Sequence, residues 1–307
     1  EKQRTLEYAK YKPEGSSFAI FVHSNCIISG CRHSKKKTRK EKVNAMSSQL
    51  TAKAFSKTKV LLVGDVMLDK YVFGNIDRIS PEAPVPVLKI NKTESLPGMA
   101  LNVKKCLEAL GNQVTLHTNK EKIVKNRFVC EKTKQHILRV DRGEVRKIKS
   151  FPLSRLKKIN FETIDGVVLS DYNKGYLTYD VCKAIVDFCR NKCPIFVDTK
   201  KKNVSCFEGC FIKVNQQEFK EIEKFPNKCE MIVTLGAEGA MYSHKVYPTK
   251  QTDVFDVCGA GDTFLSAFAS HYLVSYDESA AVRFANKAST VAVGRFGNYS
   301  PKLEEIL

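Results

Sequence analysis

No apolar run in this 307-residue chain approaches the roughly 20 residues that a membrane-spanning helix requires. The apolar patch Phe18–Val22 is too short, and lies too far in, for a secretory h-region. A paired cysteine framework is also lacking. The 11 cysteines keep no regular spacing, and many (Cys106, Cys182, Cys189, Cys258) fall in apolar runs. That argues against a disulfide scaffold and predicts reduced, buried thiols in a cytoplasmic protein. Cys189/Cys193 and Cys206/Cys210 share a spacing, but on helix-end and strand-like segments rather than on the knuckle turns of a zinc site. Acidic residues are scarce, 33 against 51 Lys and Arg, for a formal net charge of +18. RNA-binding signatures, zinc-finger spacing and basic-aromatic interleaving are missing with them. The excess therefore reads as a lysine-rich solvated surface, and neither nucleic acid nor membrane is expected as a partner. Three catalytic signatures are absent too. GxGxxG after the first strand, GxxxxGK(S/T) and GxSxG do not occur, which removes dinucleotide-binding, Walker-A and Ser-His-Asp readings.

What is present is globular: 43% hydrophobic and 27% charged residues, in a length that suits one large α/β domain or two smaller ones. Residues 1–45 stand apart. Their last part, Ser34–Lys42, is almost wholly basic, and a flexible extension of unassigned role is expected there, with the folded unit occupying 46–307. From Lys59 a strand–turn–helix pattern recurs. Val60-Leu61-Leu62-Val63 ends in Gly64-Asp65 with Asp69 close behind, presenting a carboxylate pair at a strand end. The proline-rich Arg78–Val87 suggests an edge or lid strand. Gly98 and Asn102 open a helix that Gly111 closes; Asn102 can point at a ligand or cap the first turn. Arg127–Val129 and Ile137–Asp141 read as a hairpin, and only about eight residues separate it from the His117 strand. Val167–Leu169, Ile195–Val197, Phe211–Val214 and Met231–Thr234 are further strands with polar residues or glycine at their ends. The pattern predicts an α/β sandwich: a central, mostly parallel sheet covered on both faces, with its site along one edge.

The most informative stretch is Asp253–Phe264. A β-type run (Val254, Phe255, Val257) breaks into Gly259-Ala260-Gly261-Asp262, and an apolar helix begins. Glycine amides at a helix N-terminus favour an anion. Asp262 is out of place if the loop only holds phosphate. It makes sense as a base taking a hydroxyl proton while the amides stabilise a transferring phosphoryl group. The competing reading is a first-turn acid.

Together, Gly98…Asn102 and Asp256-Val257-Cys258-Gly259-Ala260-Gly261-Asp262 resemble the ribokinase-like (PfkB) carbohydrate kinases. Gly64–Tyr71, Arg78–Val87, Gln135–Arg142 and Ser170–Gly175 look like the branch that phosphorylates D-glycero-β-D-manno-heptose 7-phosphate. The resemblance runs from about residue 50 onward. It implies a ribokinase-like three-layer fold with a small β lid, which in relatives can form a dimer surface. It further implies transfer of the ATP γ-phosphate to the anomeric hydroxyl, giving the 1,7-bisphosphate of ADP-heptose and lipopolysaccharide-core synthesis. Asp262 would be the base, and Gly259, Ala260 and Gly261 the anion hole. Asp69, Gly98 and Asn102 match positions that hold the sugar, with Lys174, Arg127 and Arg139 as candidates for its phosphate or as surface charges. Thr234, Gly236 and Gly239 match the nucleotide loop, and Asn286 the adenine site. Asn215 and Glu218 match the element that organises Mg2+ through water, and Asp256 a monovalent-cation site for K+.

Four departures stand against this. Met99 replaces a second glycine, Cys258 replaces a threonine, and a βα-sized piece is missing near 118–125. The adenylyltransferase domain often fused to such kinases has no counterpart in these residues. The missing piece leaves open a kinase for another sugar, or a ribokinase-fold binding subunit without catalysis.

Overall fold

Strands whose successive side chains are all buried must be covered on both faces, and that requirement sets the layers. The computed structural model describes residues 52–143, 148–295 and 297–307, so the extension over 1–45 lies outside the described residues. A short helix α1 (Ala52–Phe55) leads into β1 (Lys59–Gly64). Two 14-residue strands, β2 (Val66–Ile79) and β3 (Pro86–Met99), run out and back before α2 (Ala100–Ala109) and β4 (Gln113–Thr118). The hairpin β5 (Val124–Cys130) and β6 (His136–Arg142) follows, then β7 (Gly166–Asp171), α3 (Tyr179–Cys189), β8 (Ile195–Thr199) and β9 (Phe211–Asn215). The chain continues through α4 (Gln216–Lys220), β10 (Glu230–Thr234), β11 (Ala240–Tyr242) and β12 (Lys245–Tyr247), and ends in α5 (Ala260–Ser275), α6 (Glu278–Val293) and α7 (Leu303–Ile306).

The large sheet has eight strands in the order β12-β11-β10-β9-β8-β7-β1-β4. From β4 to β10 neighbours pair in parallel; β11 and β12 add an antiparallel edge. Alternation divides its side chains between two cores. Leu61, Val63, Val167, Leu169, Ile195 and Val197 face α3, whereas Val60, Leu62, Val168 and Phe196 face α2, α5 and α6. Helix α5 is buried along most of its length, as an interior helix must be when apolar all round. Phe268 and Tyr272 on it pack against Phe196 and Phe211, with the Phe211 and Tyr272 rings 4.6 Å apart. Helix α6 starts where the Asp277 carboxylate accepts the Ala280 N–H at 2.8 Å. Asp277→Ala is expected to lower unfolding stability by about 1 kcal/mol in a urea titration.

A separate four-stranded sheet has the order β3-β2-β5-β6. The proline stretch closes the β2–β3 ribbon, and β3 is an edge strand that starts at Pro86, as proline requires. Leu68, Ile79, Ile90 and Leu138 of this sheet are exposed. Five residues, 119–123, carry the chain from β4 to β5. The buried Asn119 fixes that crossing: its Oδ1 accepts the Val66 N–H at 2.8 Å and its Nδ2 donates to the Glu121 carbonyl at 2.8 Å.

Three sequence expectations are corrected. Val254, Phe255 and Val257 form no strand; the Phe255 and Asp256 amides donate instead to the Val293 carbonyl at the end of α6. All three side chains are exposed, Phe255 to 74%. Asp69 lies not at a strand end but inside β2, paired with Leu96 of β3. Cys258 is exposed, whereas the other described cysteines are buried.

Candidate functional site

The C-terminal ends of β1, β7, β8, β9 and β10 carry Asp65, Asp171, Asp198, Asn215 and Thr234 to one edge of the large sheet, where open α/β folds collect their ligands. The N-terminus of α5 meets that edge. Gly259 caps it with φ +75, a left-handed conformation, and a Cβ there would stand 2.6 Å from the Asn102 amide nitrogen. A Cβ on Gly261 would stand 2.6 Å from the Lys213 ammonium. Both glycines are needed for polar side chains of other elements to reach this helix end.

Asp262 occupies the third position of α5 and is 4% exposed. It makes no cap on its own helix. Instead, Asn102 Nδ2 donates to its Oδ2 at 2.9 Å and the Tyr172 hydroxyl donates to its Oδ1 at 2.8 Å. Burial pushes its carboxyl up to about 6, against the lowering effect of those two hydrogen bonds and of Lys213, and Asp198 raises it further. Asn102 likewise does not cap α2, whose N-cap is Met99, and its buried Oδ1 has no partner. Met99 replaces the expected glycine at the cost of φ +56, a conformation that strains a side-chain-bearing residue.

Beside Asp262 stands a row of alternating charges. Lys213, 3% exposed in the middle of an otherwise apolar strand, pairs with Asp198 at 2.7 Å. Lys200 reaches the other Asp198 oxygen at 3.5 Å and also pairs with Glu218. Burial works to raise Asp198, but the two ammonium groups outweigh it and hold its carboxyl below the usual range. Asn215 and Glu218 form a reciprocal capping box at the start of α4, each bond 2.8 Å. Their oxygens are hard donors suited to Mg2+, and a Glu218 oxygen also meets the Lys200 ammonium.

A cleft of about 810 Å³ opens from Ala260 and Gly261 past Thr234, Gly236 and Gly239 to Asn286. All four residues expected around a nucleotide therefore line one cavity with the start of α5. The Asn286 amide is anchored on the Tyr247 carbonyl at 2.7 Å. Asp256 holds the approach loop, accepting the Cys258 N–H at 2.8 Å and the Gly297 N–H at 3.2 Å.

On the other side, Asp69 is gripped by Arg127, Nε at 3.1 Å and a terminal nitrogen at 3.0 Å, with Gly98 so close that a Cβ would stand 2.9 Å from Asp69 Oδ2. Arg139 stands opposite Arg127 in the hairpin register but is half exposed and pairs with Asp141 at 2.7 Å. The Lys174 amide donates to Asp65, which places that residue on the turn after β7. The site also contains four residues to which the sequence reading gave no part: Tyr172, Lys213, Lys200 and Asp198. Lys213 carried a usable signal, since a lysine inside a buried apolar strand needs a partner.

A profile described as pfkB family carbohydrate kinase matches residues 117–305. Among curated proteins, the bifunctional protein HldE of Nitratiruptor sp. is 34% identical over 302 residues, covering 81% of this chain and 64% of that one. HldE of a Shewanella sp. is 32% identical, with 83% and 64% covered. The chain thus spans about 64% of the length of these relatives. Phosphofructokinase-2 of Escherichia coli in complex with potassium has a similar fold, with TM-score 0.61 at 15% identity, covering 81% of this chain and 96% of that one. Ribokinase of Arabidopsis thaliana, solved with ribose and ATP, gives 0.60 at 14%, covering 81% and 97%. The fold is therefore the ribokinase-like three-layer sandwich. Among the described residues no helix is long and apolar enough to cross a membrane.

Proposed function

The chain belongs to the pfkB family of carbohydrate kinases, and on that premise we propose that it transfers the γ-phosphoryl group of ATP to the anomeric hydroxyl of D-glycero-β-D-manno-heptose 7-phosphate. The observation that carries this reading is a buried carboxylate, Asp262, that follows directly on the Ala260–Gly261 wall of a cleft and is held by Asn102. The nucleotide cleft ends at Ala260 and Gly261, one turn or less from it. Asp69, Gly98 and Asn102 approach from the other side, Asn102 in direct contact.

In this reading ATP lies along Thr234, Gly236 and Gly239 with its base near Asn286. The Gly259–Gly261 amides and the Lys213 ammonium receive the transferring phosphoryl group. Asp69 and Asn102 hold the sugar, and Arg127, with Arg139 and Lys174 farther out, takes its distal phosphate. Asp262 accepts the hydroxyl proton. Magnesium, when bound by Asn215 and Glu218 through water, neutralises phosphate charge; Asp256 fixes the loop at which K+ would bind. The exposed apolar residues of the small sheet support its service as a lid and as the face of a homodimer.

The HldE name and the heptose-type stretches support the heptose 7-phosphate choice. A second reading, a different sugar or sugar phosphate, is supported by the five-residue crossing at 119–123 and by an alignment that spans 302 residues yet uses 81% of a 307-residue chain. The relative thus has residues without a counterpart here. A coupled ADP-release assay with MgATP and K+ decides between them. Turnover is expected to be highest with heptose 7-phosphate in a panel of sugars and sugar phosphates. Preference for another sugar would replace the substrate, and no turnover with any would overturn the kinase reading.

A further inference from the structure

A general base with both oxygens already hydrogen-bonded can accept a substrate proton only on a lone pair that those bonds leave free, so whatever fixes the bonds fixes the direction of attack. At Asp262 one bond comes from Asn102, a proposed sugar contact, and the other from the Tyr172 hydroxyl. Tyr172 is itself held at three points. Its backbone N–H donates at 2.9 Å to Asp65, a fully buried carboxylate that also accepts the Lys174 and Tyr176 amides at 3.2 and 3.3 Å. The Lys200 ammonium lies 5.3 Å from its ring centre. Its hydroxyl rests on Asp262. Burial, and then the charge of Asp262 itself, push the phenol far above its ordinary range, so the oxygen keeps its proton and acts as a donor at any working pH.

We propose that Tyr172 is a positioning residue for phosphoryl transfer, whose hydroxyl orients the Asp262 carboxylate toward the acceptor hydroxyl. The proposal rests on the reading of Asp262 as the base. A hydrogen bond donated to a carboxylate favours its charged form, so Tyr172 also holds down the pH at which the base becomes active. The other groups around Asp262 are Asn102 and Cys106 of α2, Asp198 of β8, Lys213 of β9 and Lys200 just beyond β8. Asp198 works against ionisation of Asp262 and the lysines work for it. Tyr172 alone among the donors reaching the carboxylate carries no charge and no proposed ligand contact.

Tyr172→Phe removes the hydroxyl and keeps the ring. The pH dependence of kcat and of kcat/KM is measured for this variant, the wild type and Asp262→Asn with the best sugar acceptor, together with KM for ATP. The expected result for Tyr172→Phe is a kcat loss of about tenfold near pH 6, a smaller loss at pH 8, an acid limb displaced to higher pH and an ATP KM close to wild type. An equal loss at every pH, with the limb unmoved, would overturn the proposal and leave Tyr172 a packing residue. Wild-type turnover in Asp262→Asn would instead overturn the base assignment itself. Should the Phe variant fold poorly, 3-fluorotyrosine inserted at position 172 provides a stronger donor. The limb must then move to lower pH, and a limb that stays in place overturns the proposal.

Discussion

Asp262→Asn is expected to lower turnover by about 10²–10⁴-fold while leaving ATP affinity nearly unchanged, read by steady-state rates and by nucleotide titration of the purified variants. The substitution keeps shape and hydrogen bonding. The new amide oxygen accepts from Asn102, and the new amide nitrogen donates to the Tyr172 oxygen, which can turn its proton away. What is lost is the capacity to take a proton. The proposed ATP site is on the other side of Gly261, in a cleft that Asp262 does not line, so ATP affinity is not expected to depend on the carboxylate. A cap or first-turn acid behaves differently: its replacement by Asn costs almost nothing in rate, because Asn caps as well as Asp.

The second large effect is on stability. Lys213→Met should destabilise the fold by about 3 kcal/mol at neutral pH, measured by urea unfolding, because it leaves the buried Asp198 carboxylate facing an apolar chain. Lys200 compensates incompletely, standing 3.5 Å away and shared with Glu218. The pH dependence has a definite sign. In the wild type Asp198 is held below its ordinary value of 3.8, so its stabilising contribution is complete above that value and is lost as pH falls through the folded one. Without Lys213, burial prevails and raises the same carboxyl. The deficit of the variant is therefore greatest at neutral pH and shrinks on acidification, as Asp198 protonates in place. The variant should also lose phosphoryl transfer out of proportion to its stability, since the ammonium stands against Gly261 at the proposed anion hole.

The layers of this fold were legible because each buried strand is an apolar run closed by glycine or a polar residue, and the capping box at Asn215 and Glu218 is written within one helical turn, three positions apart. Asp262 was visible but ambiguous: a first-turn acid and a base have the same local sequence, and what separates them is Asn102, 160 residues away. Tyr172 was passed over for the same reason, since nothing near it in the chain announces the carboxylate that its hydroxyl meets. Val254–Val257 misled because alternating apolar residues report a β tendency but not whether a sheet edge is available to pair with. The exposure of Cys258 follows from the same irregular loop.

The central claim is that a carboxylate raised by burial takes the proton of the acceptor hydroxyl, and the pH dependence of kcat/KM tests it most directly. The account predicts that activity on the preferred sugar rises through a single ionisation near pH 6, where Asp262 titrates, and stays level up to pH 8. A profile that is flat from pH 5 to 8, or that falls as Asp262 ionises, would contradict it.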